Sequence, residues 1–126
     1  MTRRILVVDD EPDFRRLLVF NLTRAGFAVD TAARGGEALE KAVSFQPDLV
    51  LLDLMLPELD GLAICEILRE LPFTRRTPIF VITAYASEQI EAASRDSGAD
   101  ECLAKPFSPR ELVRRVQAAL SKAVFE

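Results

Sequence analysis

DLVLLDLMLPELDG, residues 48–61, joins an unbroken apolar run to an ionisable residue and then to a turn. The run from Leu49 to Leu52 has the continuity of a strand buried on both faces, so we predict a strand over 49–53. Asp53 ends that strand, and a carboxylate among apolar side chains costs free energy unless another group compensates its charge. Pro57 and Gly61 are turn residues and predict a loop that leads into a helix. The stretch therefore raises the question of what Asp53 does.

The rest of the chain alternates between short apolar runs and helical patterns. We predict strands at 4–8, 28–32, 49–53, 78–83 and about 100–104. A helix is predicted after each strand, with Ser87 and Ser108 as N-caps of the last two and Gly26 and Gly98 as stops of the first and fourth. Gly35 and Gly36 predict a break in the chain before the second helix. The order favours one α/β domain over residues 1–126, a three-layer, doubly wound parallel sheet with helices on both faces. The fourth helix has Ile90 as its only large apolar residue, so we expect it to be weakly anchored and mobile.

The composition excludes several functional classes. The chain has 126 residues, a net charge of −4, two cysteines and no histidine, which excludes histidine-dependent hydrolases and zinc sites. Four arginine pairs, at 3–4, 15–16, 75–76 and 114–115, are scattered among acids, so we expect no direct nucleic-acid partner. No apolar run approaches the roughly 20 residues of a membrane span or the roughly 7–15 of a signal-peptide core. We therefore expect a cytoplasmic protein without a membrane partner.

Charged and polar side chains gather at the predicted carboxyl ends of the strands, which is where ligands bind in open α/β sheets. These residues are Asp9, Asp10 and Glu11 after the first strand, Asp53 at the end of the third, Thr83 at the end of the fourth, and Lys105 with Pro106 after the fifth. Clustered carboxylates repel each other unless a cation joins them, and Mg²⁺ prefers such oxygen ligands. Asp53, interpreted as a solvent-facing strand end, can act as a nucleophile towards phosphorus, while Lys105 and Thr83 stabilise the phosphoryl oxygens.

Each of these features also has an ordinary structural interpretation when taken singly. Asp9 and Asp10 can cap the first helix, Lys105–Pro106 can be a solvated turn, and Thr83 can be an unremarkable strand end. Asp60–Gly61 reads most simply as a turn and helix start. The chemical hypothesis therefore depends on the strand-end features occurring together in one chain at compatible spacing.

Four segments resemble a known family: VVDDE (7–11), LLDLMLPELDG (51–61), VITA (81–84) and GADECLAKPF (98–107). They are similar to the receiver domains of bacterial two-component response regulators, of the chemotaxis-regulator-like superfamily. The resemblance covers essentially the whole chain. It implies a flavodoxin-like (βα)₅ fold with strand order 2-1-3-4-5. It also implies a phospho-accepting signalling domain, rather than an enzyme, that takes a phosphoryl group from a histidine of a sensor kinase or phosphotransfer protein, with Mg²⁺, or alternatively Mn²⁺, as cofactor.

The resemblance also assigns roles to individual residues. It makes Asp53 the phosphoacceptor, Lys105 the phosphate partner and Thr83 the switch hydroxyl. Mg²⁺ is implied to contact Asp10 and Asp53 directly and Asp9 through water. The remaining assignments are the backbone carbonyl of Met55 as a metal ligand, and Pro57, Gly61 and Pro106 as structural residues, with Pro106 after a cis peptide bond.

One departure from the family pattern, at Cys102, and the residues at two family positions, Met55 and Tyr85, concern signalling. Cys102 stands where the family has a switching Tyr or Phe, and a thiol cannot fill the space of a ring. We therefore expect output through the mobility of the fourth helix and the face formed by helix 4, strand 5 and helix 5, which is also the candidate homodimer surface. Met55 and Tyr85 occupy the positions that tune phosphate lifetime. Neither carries a carboxylate or amide to orient water, so we predict slow self-dephosphorylation.

Three alternative functions remain open from the residues alone. A flavin-binding protein of the same fold needs a phosphate-binding loop of Gly, Ser or Thr where this chain has the acidic DDEPD. An aspartyl-phosphate phosphatase usually has an acid two residues after its nucleophile, where this chain has Met55. An unphosphorylated interaction module would not need the full acceptor site. The chain is expected to be either a stand-alone regulator or the receiver part of a longer protein with an output or kinase domain, and Val124–Phe125 hints at a continuing helix.

Overall fold

The computed structural model describes the backbone of residues 2–125 and the side chains of residues 2–121. Strands and helices alternate throughout, as the sequence predicts. Their bounds are β1 (Arg4–Val8), α1 (Pro12–Arg24), β2 (Ala28–Ala32), α2 (Gly35–Ser44), β3 (Leu49–Asp53), α3 (Gly61–Glu70), β4 (Ile79–Thr83), α4 (Glu88–Asp96), β5 (Glu101–Ala104) and α5 (Pro109–Phe125). The side chains of Lys122, Val124 and Phe125 lie outside the described residues.

All five strands form one parallel sheet in the order β2-β1-β3-β4-β5, which confirms the predicted fold class and strand order. β3 lies at the centre, and every residue of β3 and of β4 is buried. A strand covered on both faces has no polar side to expose, which explains why these segments are apolar without alternation.

Successive strand residues pack into two separate cores, one on each face of the sheet. Leu6, Val50 and Val81 face α2 and α3, while Val7, Leu51 and Ile82 face α1 and α5. The helices supply the complementary apolar residues, such as Ile64 and Leu68 on one side and Leu18 and Val116 on the other. These two cores give the three-layer architecture and hold the carboxyl ends of the strands in fixed register.

The turns and helix starts follow the predicted residues with small differences. Ser87 and Ser108 accept backbone N–H groups of Ile90 and Glu111 at 3.1 and 3.4 Å, as N-caps do. Gly98 has φ +105°, a conformation that ordinary residues rarely adopt. Gly35 and Gly36, which read as a break before α2, instead form its first turn.

Helix α4 is weakly anchored in the structure, as its sequence indicates. Its one buried residue is Ser94, and Ile90 is only partly buried against the core. Its expected mobility stays a prediction. Within residues 2–125, no helix has both the length and the apolar character that crossing a bilayer requires.

Candidate functional site at the carboxyl edge of the sheet

The structure brings the predicted strand-end residues to one edge of the sheet. Asp9 follows β1, Asp53 ends β3, Thr83 ends β4 and Lys105 follows β5, and these strands are parallel neighbours in the order β1-β3-β4-β5. The carboxylates of Asp9, Asp10 and Asp53 each offer an oxygen, and these oxygens lie within 4.8 Å of one another. The acidic cluster is therefore a consequence of the strand order.

Lys105 compensates part of this negative charge. Its Nζ lies 3.2 Å from Oδ2 of Asp53 and 3.3 Å from Oδ2 of Asp9. It also sits 4.2 Å from the centroid of the Phe14 ring, where a cation is attracted to the ring face. The pKa of Lys105 is raised. Burial is the largest single influence and lowers this pKa, but the charges of Asp53 and Asp9 and the hydrogen bonds to them together outweigh burial. The lysine is therefore a firmly charged partner for an anion.

Asp53 differs in one respect from the sequence-based interpretation, which placed it as a solvent-facing strand end. The residue is only 4% exposed. Its Oδ1 accepts the backbone N–H of Met55 at 2.9 Å, and its Oδ2 accepts from Lys105. The turn after β3 bends back over the carboxylate, which the strand pattern alone does not reveal. The carboxylate is thus held in a fixed orientation with one oxygen beside the ammonium.

Asp9 and Asp10 are placed differently within the cluster. Asp9 is 1% exposed, and its Oδ1 accepts the N–H of Glu11 at 2.9 Å, whereas Asp10 is exposed. The N-cap residue of α1 is Glu11, whose side chain makes no capping hydrogen bond, so neither Asp9 nor Asp10 is the N-cap. Burial is the main cause that raises the pKa of Asp9, and the charge of Asp53 adds to it.

These carboxylates make a testable contribution to the pH dependence of stability. Because the pKa of Asp9 is raised in the folded state, its contribution to stability is present below the unfolded pKa and is lost as pH rises through the folded value. We expect Asp9→Asn to raise the midpoint of thermal unfolding by a few degrees at neutral pH in EDTA, and the gain to shrink on acidification. The exposed carboxylate change Asp13→Asn is the control. An Asp9→Asn protein that is less stable than wild type at neutral pH would contradict the destabilising effect of the Asp9 charge that the raised pKa implies.

The residues present fit a divalent cation. Three carboxylates face one ammonium, which leaves two negative charges, and their oxygens are hard ligands within reach of a single ion. This set suits Mg²⁺ or Mn²⁺ better than a softer metal, because no cysteine or histidine takes part.

Thr83 and Tyr85 form a second, smaller arrangement beside the cluster. Thr83 is 2% exposed, and its Oγ1 accepts the backbone N–H of Tyr85 at 3.0 Å, which leaves its hydroxyl hydrogen free to donate. Among the described residues, no hydrogen bond joins Thr83 to Asp53. The side chains of Tyr85 and Met55 are both largely exposed at this edge.

The predicted structural residues hold the loops around the site. Gly61 begins α3 so close to β3 that an added Cβ would lie 2.6 Å from Cα of Leu54 and 2.9 Å from the carbonyl oxygen of Asp53. Asp60 caps α3 by accepting the N–H of Leu62, and the Pro57 carbonyl accepts the N–H of Leu59. The peptide bond between Lys105 and Pro106 is cis, as the resemblance implies.

Cys102 lies away from the carboxylates, on the side of β5 that faces α4. Its Sγ is 3.9 Å from Oγ of Ser94, and burial, its largest influence, raises the pKa of the thiol. Cavities of about 170 and 200 Å³ adjoin it, one towards α5 and one towards α4. Open volume therefore lies beside the small Cys102 side chain and next to α4, the helix that we expect to be mobile.

Two contributors to the site were not foreseen from sequence. Phe14 lies under the Lys105 ammonium and meets Phe107 edge-on, with ring centroids 5.6 Å apart. Arg15 donates to the carbonyl oxygen of Asp9 at 2.7 Å. Both residues lie in the first turns of α1, directly after the acidic residues 9–11. This position is the feature of the sequence that could have indicated their proximity to the site.

Comparisons with known proteins agree on one family. Residues 5–117 match the response regulator receiver domain. The chain is 46% identical over 123 residues to the alkaline phosphatase synthesis transcriptional regulatory protein PhoP of Bacillus subtilis, covering 98% of this chain and 50% of that protein. The chain therefore spans about half the length of the curated relatives it matches.

Solved structures agree with the sequence relatives. One is a CheY-like response regulator receiver domain protein from Methanospirillum hungatei, with a TM-score of 0.91 and 30% identity, covering 97% of this chain and 96% of that chain. Another is the chemotaxis response regulator CheY4 of Vibrio cholerae, with a TM-score of 0.89 and 31% identity, covering 94% and 98%. Both likenesses extend over nearly the whole fold.

Proposed function

The chain belongs to the response regulator receiver domain family, whose members are phosphorylated on an aspartate and bind Mg²⁺, and we propose that its phosphoacceptor is Asp53. The single observation that carries this assignment is the position of the Asp53 carboxylate, buried at the end of the central strand and 3.2 Å from Lys105 within the acidic cluster. The 126 residues contain no histidine, so we propose that the donor is a histidine outside this sequence, in a sensor kinase or a histidine phosphotransfer protein.

The transfer uses groups that the fold already orients. A carboxylate oxygen of Asp53 forms the new bond to phosphorus while the bond from phosphorus to the donor nitrogen breaks. The Lys105 ammonium balances the negative charge on the phosphoryl oxygens, and the hydrogen bond from Met55 N–H keeps the carboxylate from rotating. Thr83 can donate its hydroxyl hydrogen to a phosphoryl oxygen, because its oxygen already accepts from Tyr85.

We assign the metal ligands to the acidic cluster. Asp10 and Asp53 would hold Mg²⁺ directly, Asp9 through water, and Met55 through its backbone carbonyl. When bound, the ion supplies positive charge that offsets the carboxylates and the incoming phosphoryl oxygens. Lys105 alone leaves two carboxylate charges unbalanced, so the protein's own residues favour phosphorylation only weakly without a cation.

The dependence of phosphorylation on a divalent cation allows the proposed function to be tested. Incubation of the chain with acetyl phosphate and Mg²⁺ should add the mass of one phosphoryl group to the intact protein. EDTA should abolish the gain, and Asp10→Asn should reduce it by at least about tenfold, because that variant loses a charged metal ligand. Asp13→Asn serves as the control. A mass gain that is unchanged in EDTA would contradict the proposal.

The phosphoryl group should persist once it has been added. Met55 and Tyr85 carry no carboxylate or amide that could orient an attacking water, and the bulky, largely exposed Tyr85 follows two residues after Thr83. We expect a phosphoryl lifetime of minutes or longer without a phosphatase, and a shorter one in Met55→Asn, measured by the decay of the phosphorylated mass. A half-life of seconds in the wild-type chain would count against this expectation.

We propose that α4 and its neighbours report the modification. Phosphorylation adds about −1.5 to −2 charges beside Thr83, and the segment that follows leads into α4, which buries only Ser94. With Cys102 in place of an aromatic ring and open volume beside it, the response is a shift of α4 rather than a ring rotation. The face of α4, β5 and α5 would then change shape, either for a partner or for a second copy of the chain.

The downstream role extends beyond the part of the protein described by this sequence. The relatives PhoP and ResD carry the names of transcriptional regulatory proteins, and this chain matches about half of each. We propose that an output domain or a separate downstream protein reads the phosphorylated face. The domain itself acts as a phospho-accepting signalling module.

A further inference from the structure

Two of the four arginine pairs, scattered in sequence, meet in a groove at the amino-terminal edge of the sheet, opposite Asp53. We propose that this arginine groove, formed by Arg3, Arg4, Asp48, Phe73, Arg75 and Arg76, binds a small polyphosphorylated ligand with a flat ring, of the nucleotide class. The proposal concerns a site separate from the carboxylate cluster and does not depend on the function assigned to Asp53.

The groove has the size of a small-molecule site. Its volume is about 620 Å³, within the range of roughly 300–1,000 Å³ that is common for ligand pockets. The residues at the starts of β1 and β3 form its floor, where Arg4 N–H donates to Oδ2 of Asp48 at 2.7 Å. The segment between α3 and β4 forms the wall that carries Phe73, Arg75 and Arg76.

The charge of the groove is opposite to that of the whole chain. Four arginines and a single carboxylate residue line the groove, which is an excess of three positive charges in a chain whose net charge is −4. Asp48 is already engaged, because it accepts the Arg4 N–H and its Oδ1 lies 3.9 Å from Nη1 of Arg3. Guanidinium groups bind phosphate oxygens through paired N–H donors, so the groove suits an anion with several phosphates.

The wall of the groove is held rigidly by a residue behind it. The guanidinium of Arg69 donates to the carbonyl oxygens of Thr74, Arg75 and Thr77 at 3.1, 3.2 and 2.6 Å. The hydroxyl of Thr74, which is fully buried, donates to the carbonyl oxygen of Leu68. Few exposed connecting segments are held by so many side-chain hydrogen bonds. Arg75 and Arg76 are therefore displayed from a fixed backbone, which reduces the entropy lost on binding.

Phe73 indicates that the ligand has a ring. Its side chain is 56% exposed at the rim, next to the arginines, where a solvent-facing aromatic gains little from the fold. A nucleobase stacks on such a ring while its phosphates reach the guanidinium groups. An acidic peptide would use the arginines but would leave Phe73 uncovered, and the groove, although open to solvent, has the volume of one small ligand.

Calorimetric titration with ATP and with tripolyphosphate tests the proposal, in EDTA so that the carboxylate cluster takes no part through a metal. We expect both probes to bind the wild-type chain. The double variant Arg75→Ala with Arg76→Ala should weaken the binding of both probes by at least about tenfold, which corresponds to the loss of one charge-assisted contact. The control, Arg110→Ala with Arg114→Ala, removes the same charge from exposed positions on α5 and should change affinity by less than about twofold.

A third variant separates the ring from the phosphates. Phe73→Ser should weaken the binding of ATP by about fivefold or more and leave the binding of tripolyphosphate unchanged, because only ATP carries a base that can stack on the ring. No binding of ATP to the wild-type chain, or equal losses in the two double variants, would overturn the proposal. So would tighter binding of a polyglutamate peptide than of ATP through Arg75 and Arg76, because the occupant would then be an acidic peptide.

Discussion

Gly61→Ala should lower the free energy of unfolding by about 1–3 kcal/mol, the usual cost of forcing an extra methyl group into a packed site. A Cβ at this position would lie 2.6 Å from Cα of Leu54 and 2.9 Å from the carbonyl oxygen of Asp53, both of which belong to the backbone and cannot rotate away. The turn after β3 must therefore move. Because Asp53 ends that strand, the same change should weaken Mg²⁺ binding, measured as the stabilisation that Mg²⁺ adds in urea unfolding.

Gly36→Ala is the matched control for this substitution. Gly36 is in the first turn of α2, and an added Cβ there would have no neighbour within 4 Å. Alanine is the better helix former, so this variant should be unchanged or more stable by up to about 1 kcal/mol. Equal stability of the two variants would show that the close approach of α3 to β3 does not constrain the turn.

Much of the fold follows from local sequence because each central strand is apolar on both faces. LVLLD and IFVIT have no polar side, so only a sheet covered by helices accommodates them, and alternation with helical segments makes that sheet parallel. The carboxyl ends of parallel strands meet at one edge. The gathering of Asp9, Asp53 and Lys105 was therefore predictable once the strands were placed.

Other features depend on contacts between distant segments and leave no local signal. Asp53 is buried where it is hydrogen-bonded by Met55 N–H and by Lys105 from the end of another strand. The role of Phe14 likewise comes from the approach of Lys105 across the sheet edge. Gly35 and Gly36 read as a break, although they begin α2. A side chain at position 35 has no room because Leu59, in the loop before α3, and Ile64, in α3, lie against it, and this contact joins segments that are distant in sequence. Arginine pairs far apart in sequence meet only because β1 and the segment before β4 share an edge.

Asp53→Asn should abolish phosphorylation, the largest effect expected of any single change in this chain. The amide has nearly the shape of the carboxylate and can still accept the Met55 N–H, so the fold should be retained. The amide oxygen is a far poorer nucleophile than a carboxylate oxygen. Lys105 keeps Asp9 as a partner at 3.3 Å, so its position should change little. The midpoint of thermal unfolding in EDTA checks that the variant remains folded.

The central claim, that Asp53 accepts the phosphoryl group, is tested most directly by intact-mass measurement after incubation with acetyl phosphate and Mg²⁺. Wild type and the exposed-carboxylate control Asp96→Asn should each gain the mass of one phosphoryl group, and Asp53→Asn should gain none. A gain of the same size in folded Asp53→Asn would contradict the account, because the acceptor would then be another residue.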